Sequence, residues 1–396
     1  MASAATAAVA TPAPAGVLAS GGRCVTGRAT ARKFVDDYVV PFADEYDRAG
    51  RLPDELFARV SQAGLWAPFL STEAGGRGLD MVTVGTIHEE VGRGCSSVRS
   101  LLTAHGMVAW AVQRWGDTGQ RERWLSRLAS GQALAAFCLT EPGVGSDATR
   151  ITTRAERRGD DWVLSGEKSW ITGAQRAGLF LVFARTGSGG IAAFLVPRET
   201  RGVEVTPVGG LLGTRASMLG TVHLHDAVAG PDALLGPDGF AAGMVMTGAL
   251  DIGRYSVAAG AVGLTQACLE ACTAYADRRT VSTGPLRDLQ LIRAKISDMV
   301  TDATAARLLY ERAGRLKDTG DQSTIMATLI AKYFASKAAA RHASEAVQIH
   351  GANGIGPDFP VARYYRDAKV MEIIEGSSEI QQLTIADEAY RGGVSK

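Results

Sequence analysis

Charge of a single sign is missing from this chain. Its 42 Lys and Arg stand against 41 Asp and Glu, a formal net charge of +1 over 396 residues. That balance excludes a globally cationic nucleic-acid or membrane binder. Cysteine is scarce. Cys24, Cys95, Cys138, Cys268 and Cys272 form an odd, scattered set, which argues against a disulfide framework and for a reducing, cytoplasmic setting. Cys268 and Cys272 lie one helical turn apart, yet with no CxxC and no neighbouring His cluster they read as small packing residues. The most apolar stretch, 255–276, is broken by Ser256, Gln266, Glu270 and Thr273, so a buried helix is expected there and no membrane insertion. Residues 1–22 carry no charged side chain; without a basic start or early arginines they read as a disordered tail, not as a signal peptide or presequence.

Several motifs are missing as well. The Walker phosphate loop, the HExxH zinc motif and the Gly-x-Ser-x-Gly elbow do not occur. Gly351, Gly354 and Gly356 have the wrong spacing for a dinucleotide fingerprint and follow a helical pattern instead of a strand, which excludes a Rossmann reading. His223 and His225 share a strand face with no third ligand nearby, so no metal site is expected.

What is present is a core. Apolar residues make up 46% of the chain, enough to exclude wholesale disorder, and the 47 glycines exceed the usual ~7%. The hydrophobic period is helical over 23–130, with Phe34, Tyr38 and Val39, then Leu56, Val60 and Leu65, then a long segment 97–115. Over 131–241 it shortens to β-rich runs at 162–164, 179–183, 191–196, 203–205 and 221–225, which predicts an antiparallel sheet. Over 242–396 it lengthens again, predicting a four-helix bundle from 241–279, 285–318, 322–351 and about 375–391. The expected fold is α+β, in the order helices, sheet, helices.

Three segments carry candidate chemistry. The loop 137–147 offers two glycines and several hydroxyls that let backbone approach a ligand's polar edge, although an ordinary turn would look the same. In 165–174 the two-residue strand period puts Trp170 and Thr172 on one face, either as core or as a wall for a planar aromatic cofactor. Glu375 sits between isoleucines and a glycine just before a helix. Apolar company would raise its pKa and suit proton abstraction, whereas a helix N-terminal acid held by the dipole is the plain alternative. Spacing alone does not choose between these readings.

Taken together, 138–147 (CLTEPGVGSD), 170–174 (WITGA), 251–263 (DIGRYSVAAGAVG), 346–354 (AVQIHGANG) and 366–381 (RDAKVMEIIEGSSEIQ) resemble, in order, the signatures of the acyl-CoA dehydrogenase family. The resemblance implies a bound FAD. By it Phe137, Leu139, Thr140, Ser146, Trp170 and Thr172 match positions around the isoalloxazine ring, and Ser377 and Glu379 match further flavin contacts. Arg279, Gln290, Gln348, Gly351 and Ala352 match positions for the pyrophosphate and adenosine half, partly across the subunit interface of a homodimer or homotetramer. Glu375 matches the base that removes the α-proton of an acyl thioester while a hydride leaves for the flavin, and Gly376 and Ser146 match substrate-side positions. Arg254 matches a substrate-contacting arginine. An intact Glu at 375 argues against the family's monooxygenase and nitroso-forming relatives. One departure is visible: after Arg279 the chain reads Thr280-Val281-Ser282-Thr283, without the aromatic residue and glycine usual there, which puts the phosphate contacts of Arg279 in doubt.

The substrate reading turns on Arg99, in apolar and small company at 95–107. It is either an exposed helix-start arginine or, as an Arg-Ser pair similar to that of the glutaryl-CoA dehydrogenase branch, a fork for a distal carboxylate. Segments 95–121 and 366–380 also look like the acyl-carrier-protein dehydrogenases that help make hydroxymalonyl or methoxymalonyl extender units from a glyceryl thioester. A short polar acyl group would meet Arg99, Thr103 and His105. The alternatives are an α,β-dehydrogenase of short-chain or dicarboxylic acyl-CoA and, in another class, a flavoprotein scaffold without turnover. Either enzyme reading requires an electron acceptor for the reduced flavin.

Overall fold

The computed structural model describes residues 24–392, so the tail expected at 1–22 lies outside the described residues. Six helices come first: α1 (Arg28–Tyr38), α2 (Ala43–Ala49), α3 (Asp54–Gln62), α4 (Met81–Gly94), α5 (Ser96–Trp115) and α6 (Thr118–Ser130). Their ends follow from local chemistry. The Asp80 carboxylate accepts from the Thr83 N–H at 2.8 Å and the Asp117 carboxylate from the Gln120 N–H at 2.8 Å, satisfying otherwise orphaned first-turn donors. Gly131 stops α6 in a left-handed conformation (φ 77°).

Eight strands follow: β1 (Ala135–Cys138), β2 (Arg154–Arg158), β3 (Asp161–Ile171), β4 (Leu179–Arg185), β5 (Ile191–Pro197), β6 (Val203–Pro207), β7 (Gly220–Ala229) and β8 (Leu234–Leu235). They form one sheet in the order β6-β7-β3-β2-β4-β5-β8, with β1 beside β4. The long pairings are antiparallel, as expected; β1 runs parallel to β4, and β2 meets β4 in parallel at Arg154 and Arg185. The β3–β7 register slips between Lys168 and Ile171. Thr172 lies beyond the end of β3, so the strand period does not reach it, although it and Trp170 line the same cavity.

The last region holds α7 (Thr247–Arg278), a two-residue hairpin β9 (Thr280–Val281) and β10 (Gly284–Pro285), then α8 (Gln290–Thr319), α9 (Thr324–His350), α10 (Ala352–Ile355), α11 (Val361–Ile373) and α12 (Ser378–Tyr390). The unusual Thr280–Thr283 segment is thus a tight turn. The bundle differs from expectation in its fourth member. Helix α11 packs against both α7 and α9, and the segment expected at about 375–391 is a separate helix, α12, beyond a corner. The expected helix at about 375–391 corresponds to α12, whereas α11 before the corner was not expected.

Helix α7 is long and apolar enough by composition to cross a membrane, but here it is the central helix of the bundle, packed by α4, α5, α8 and α9. Its glycines permit a close crossing with α4: a Cβ on Gly263 would lie 1.9 Å from the Glu89 carbonyl, and one on Gly92 would lie 2.6 Å from that of Gly260. Cys268 and Cys272 are buried and unpaired in this core. His223 and His225 stack at 5.8 Å on the sheet surface, and no metal-binding group occurs among the described residues.

Candidate active site

Helix α11 ends at Ile373, and α12 begins with Ser377 as its N-cap. Between them Glu375 (φ 56°) and Gly376 (φ 92°) both adopt left-handed backbone. For Glu375 this is uncommon and costs on the order of 1–3 kcal/mol, so neighbours must impose it. Arg254 on α7 donates from Nε to the Glu375 carbonyl at 3.0 Å. Lys332 on α9 and Gln381 on α12 donate to the Gly376 carbonyl at 2.8 and 2.9 Å. The carboxylate points towards α7 at Gly253, where an added Cβ would lie 2.4 Å from Oε2. Oε2 is buried and has no hydrogen-bond partner. Burial raises the Glu375 pKa to about 7, against the pull of Arg254, Arg99 and Lys332. A carboxyl near neutrality with a free oxygen is suited to accept a proton from a bound molecule.

Glu375 lines a cavity of about 440 Å³ together with Arg99, Thr103, Trp170, Thr172 and Ile373. Arg99 is not an exposed helix-start residue: it is completely buried. Its Nη1 donates to Thr103 Oγ1 at 3.0 Å and its Nη2 to Ser100 Oγ at 2.9 Å, with Met371 Sδ at 3.4 Å. Nε has no partner, and among the described residues no carboxylate lies within ion-pair distance. Burial lowers its pKa to about 10, so the guanidinium stays charged at neutral pH. Behind it, Thr103 meets Ser256 at 2.6 Å and Ser256 meets His88 Nδ1 at 3.0 Å. Burial and Arg99 together push the His88 pKa down to about 3.

His105 does not join this group. Its Nδ1 accepts from the Ala135 N–H at 3.2 Å, which makes Nε2 the donor to the Leu128 carbonyl at 3.0 Å. The helix turns its ring away from the cavity, and both nitrogens are used in the core.

The loop after β1 is pinned from below. Glu141 accepts from the N–H groups and hydroxyls of Thr152 and Thr153 at 2.6–2.9 Å and from buried Lys168 at 2.8 Å. Lys168 also donates to the Leu139 carbonyl at 3.1 Å, and the Ser169 N–H to that of Thr140 at 2.9 Å. This brings Thr140 to the end of β3, beside Trp170 and Thr172. Trp170 has φ 60° and is 60% exposed, an unusual outlay of apolar surface at a cavity mouth. Phe137 packs on Phe183 at 5.0 Å and Leu139 is buried in the core, so their side chains support the loop from within. Ser146 is exposed on the loop and does not line the cavity. Ser377 caps α12 through the Ile380 N–H at 3.4 Å, and Glu379 is exposed in its first turn. An open indole face, a nearby hydroxyl and an unpartnered carboxylate oxygen fit a flat conjugated ring lying against Trp170.

Arg279, Gln290, Gln348, Gly351 and Ala352 do not reach this cavity. All are exposed, at the end of the bundle where Tyr275 stacks on His350 at 4.2 Å and accepts from Asn353 at 3.0 Å. Sequence reasoning missed Lys332, Gln381 and Ser256. A signal existed for Lys332, since Thr328, Lys332 and Ser336 form a polar i, i+4 stripe, fully buried on the alanine-rich α9.

Profiles of the acyl-CoA dehydrogenase N-terminal, middle and C-terminal domains match residues 26–132, 136–227 and 239–390. The chain is 37% identical over 364 residues to the mitochondrial short-chain specific acyl-CoA dehydrogenase of Bos taurus, covering 91% of this chain and 88% of that one. Among solved structures it is similar to FkbI, described as serving biosynthesis of the methoxymalonyl extender unit of the Fk520 polyketide (37% identity, 91% and 99% covered, TM-score 0.85). It is also similar to a glutaryl-CoA dehydrogenase from Mycobacterium smegmatis in complex with FADH2 (31% identity, 92% and 93% covered, TM-score 0.87).

Proposed function

The chain belongs to the acyl-CoA dehydrogenase family, FAD-dependent oxidoreductases acting on the CH–CH bond of acyl thioesters, and from that premise we propose that it oxidises a short polar acyl group carried on an acyl carrier protein, a glyceryl-derived unit leading to a hydroxymalonyl or methoxymalonyl extender. Arg99 carries this reading. A buried guanidinium without a carboxylate partner leaves its desolvation cost unmet, and it opens on the cavity that holds Glu375. A distal hydroxyl or carboxylate of the acyl group supplies the missing acceptor. The likeness to FkbI supports the extender-unit assignment.

FAD, when bound, supplies the hydride acceptor. Trp170, Thr172 and Thr140 hold its ring, with Phe137 and Leu139 as backing and Ser146, Ser377 and Glu379 as nearby contacts. Glu375 takes the α-proton onto its free oxygen, and its backbone N–H, aimed by the left-handed corner, donates to the thioester carbonyl to stabilise the enolate-like charge. Gly376 and Arg254 keep that corner in shape. Arg279, Gln290, Gln348, Gly351 and Ala352 serve the pyrophosphate and adenosine half for a neighbouring subunit of a homodimer or homotetramer. A separate electron acceptor reoxidises the flavin, and five unpaired cysteines suit a cytoplasmic setting. The base in place at Glu375 speaks against a scaffold without turnover.

The test is a panel: glyceryl-derived carrier protein, butyryl-CoA and glutaryl-CoA, followed by flavin reduction and intact mass. The carrier-protein thioester is expected to react fastest; faster turnover of either CoA ester overturns the carrier assignment in favour of a short-chain or dicarboxylic acyl-CoA dehydrogenase. Arg99→Met is expected to lower kcat/KM for the polar acyl groups by at least about tenfold while leaving butyryl-CoA within about twofold. Equal losses on all three would remove Arg99 from substrate recognition.

A further inference from the structure

The corner that carries Glu375 is gripped from three helices, and the least expected grip comes from α9. Lys332 is completely buried, and among the described residues it makes no ion pair within 4 Å. Its ammonium donates to the Gly376 carbonyl at 2.8 Å. A buried ammonium placed on a backbone carbonyl is a costly way to hold a loop, because Gln381 already donates to the same oxygen at 2.9 Å. One feature distinguishes it from a neutral donor: it brings a full positive charge close to Glu375. Like Arg254 and Gln381, it also ties its own helix to the left-handed corner.

We propose that Lys332 is a positioning residue for the reaction: its ammonium locks the left-handed Glu375–Gly376 corner and, as a fixed charge behind the carboxylate, keeps Glu375 ionised for proton abstraction. The inference rests on Glu375 being the base. Glu375 faces Arg254 on α7, Arg99 on α5 and Lys332 on α9, three cations to one carboxylate. Lys332 in turn feels Glu375 and Arg254 together with Glu372 on α11 and Glu379 on α12. Arg254 and Arg99 have other polar partners that fix their directions, Arg254 on the Glu375 carbonyl and Arg99 on two hydroxyls. Burial lowers the Lys332 pKa to about 8, so it is charged over the range in which the base titrates and neutral above it.

Removing the charge makes ionisation of Glu375 harder, so the acid limb of the kcat profile moves to higher pH. Three variants of the FAD-loaded protein separate charge from grip, assayed from pH 5 to 9 with the glyceryl carrier-protein thioester and with butyryl-CoA. Lys332→Gln keeps an N–H donor and loses the charge. Its acid limb is expected to rise by about one pH unit, its kcat at pH 7 to fall about fivefold to tenfold, and its rate at pH 9 to approach wild type. Lys332→Met loses both and stays at least about tenfold slow at pH 9, while Lys332→Arg restores the limb. KM should move less than about threefold throughout. An unmoved acid limb in Lys332→Gln, with flavin content and melting temperature unchanged, overturns the proposal, as does a change confined to KM. Glu375→Gln is run alongside: if it still turns over, the base assignment fails; if it is inactive and the Lys332 limb is unmoved, only the role of Lys332 fails.

Discussion

Burial raises the Glu375 carboxyl from its ordinary 4.5 to about 7 although three cations pull the other way. A raised carboxyl binds its proton more tightly in the folded than in the unfolded state. Folding is therefore unpenalised below about pH 4.5, loses stability as pH climbs from there to about 7, and bears the full cost above it. That cost is about 3 kcal/mol at pH 8. Glu375→Gln, which cannot ionise, is expected to remove it: the variant melts higher than wild type at pH 8, the difference shrinks towards pH 4.5, and FAD stays bound while turnover is lost. Calorimetry across that range, with flavin absorbance for content, checks this; a variant that melts lower than wild type at pH 8 contradicts the assignment. An acid between isoleucines and a glycine was visible in the chain as an odd placement, but only the family resemblance, not the spacing, pointed to it as a base. Its surroundings were not visible. Arg254, Lys332 and Gln381 lie 121, 44 and 5 positions from the atoms they hold, and only the packing of α7, α9 and α12 brings them to one corner.

Among the elements, the loop from 138 to 153 depends on one buried ion pair. Lys168 and Glu141 are almost wholly inaccessible and 2.8 Å apart, and four further donors from Thr152 and Thr153 complete the carboxylate. These bonds overcome burial and hold Glu141 down to about 2. Its share of stability is thus present above about pH 4.5 and is lost as pH falls through about 2. Lys168→Met leaves that carboxylate buried without its cation and is expected to cost about 3–5 kcal/mol, read as a lower urea midpoint, with weaker FAD retention because Thr140 and Trp170 lose their shared anchor. A change below about 1 kcal/mol would show that the threonines alone suffice. The long helices and the longer strands followed from hydrophobic runs and periodicity, whereas β1, β2, β8 and α11 did not, and β4 and β5 are buried on both faces. Prediction failed where regularity stops. The register slip at 168–171 ends β3 before Thr172, which lines the cavity with Trp170 from beyond the strand, and α11, which leads into the Glu375 corner, was not expected at all. Both irregularities lie on the cavity wall, where fold-level regularity yields to site geometry.

At the scale of the whole molecule, α8 has apolar side chains on both flanks. It buries Met299, Ala303, Ala306 and Tyr310 against the bundle, yet leaves Leu291 79%, Leu308 60% and Val300 47% exposed. Single exposed leucines are ordinary; three large apolar residues along one helix, in a region that also carries exposed Arg279 and Gln290, make the outer face of α8 a suitable subunit contact. The residues proposed to meet FAD divide in the same way: Trp170 and Thr172 line the cavity, whereas Arg279, Gln290, Gln348, Gly351 and Ala352 are exposed at an end of the chain's own bundle. A homo-oligomer with α8 in its interface would let one chain complete another's cofactor site. Leu291→Asp places a charge in that contact and is expected to shift the sedimenting mass towards the monomer and to lower the flavin-to-protein ratio in step, while circular dichroism keeps its helical signal. Loss of flavin at unchanged mass would assign Leu291 to cofactor binding alone, and no change in either would exclude the α8 face from assembly.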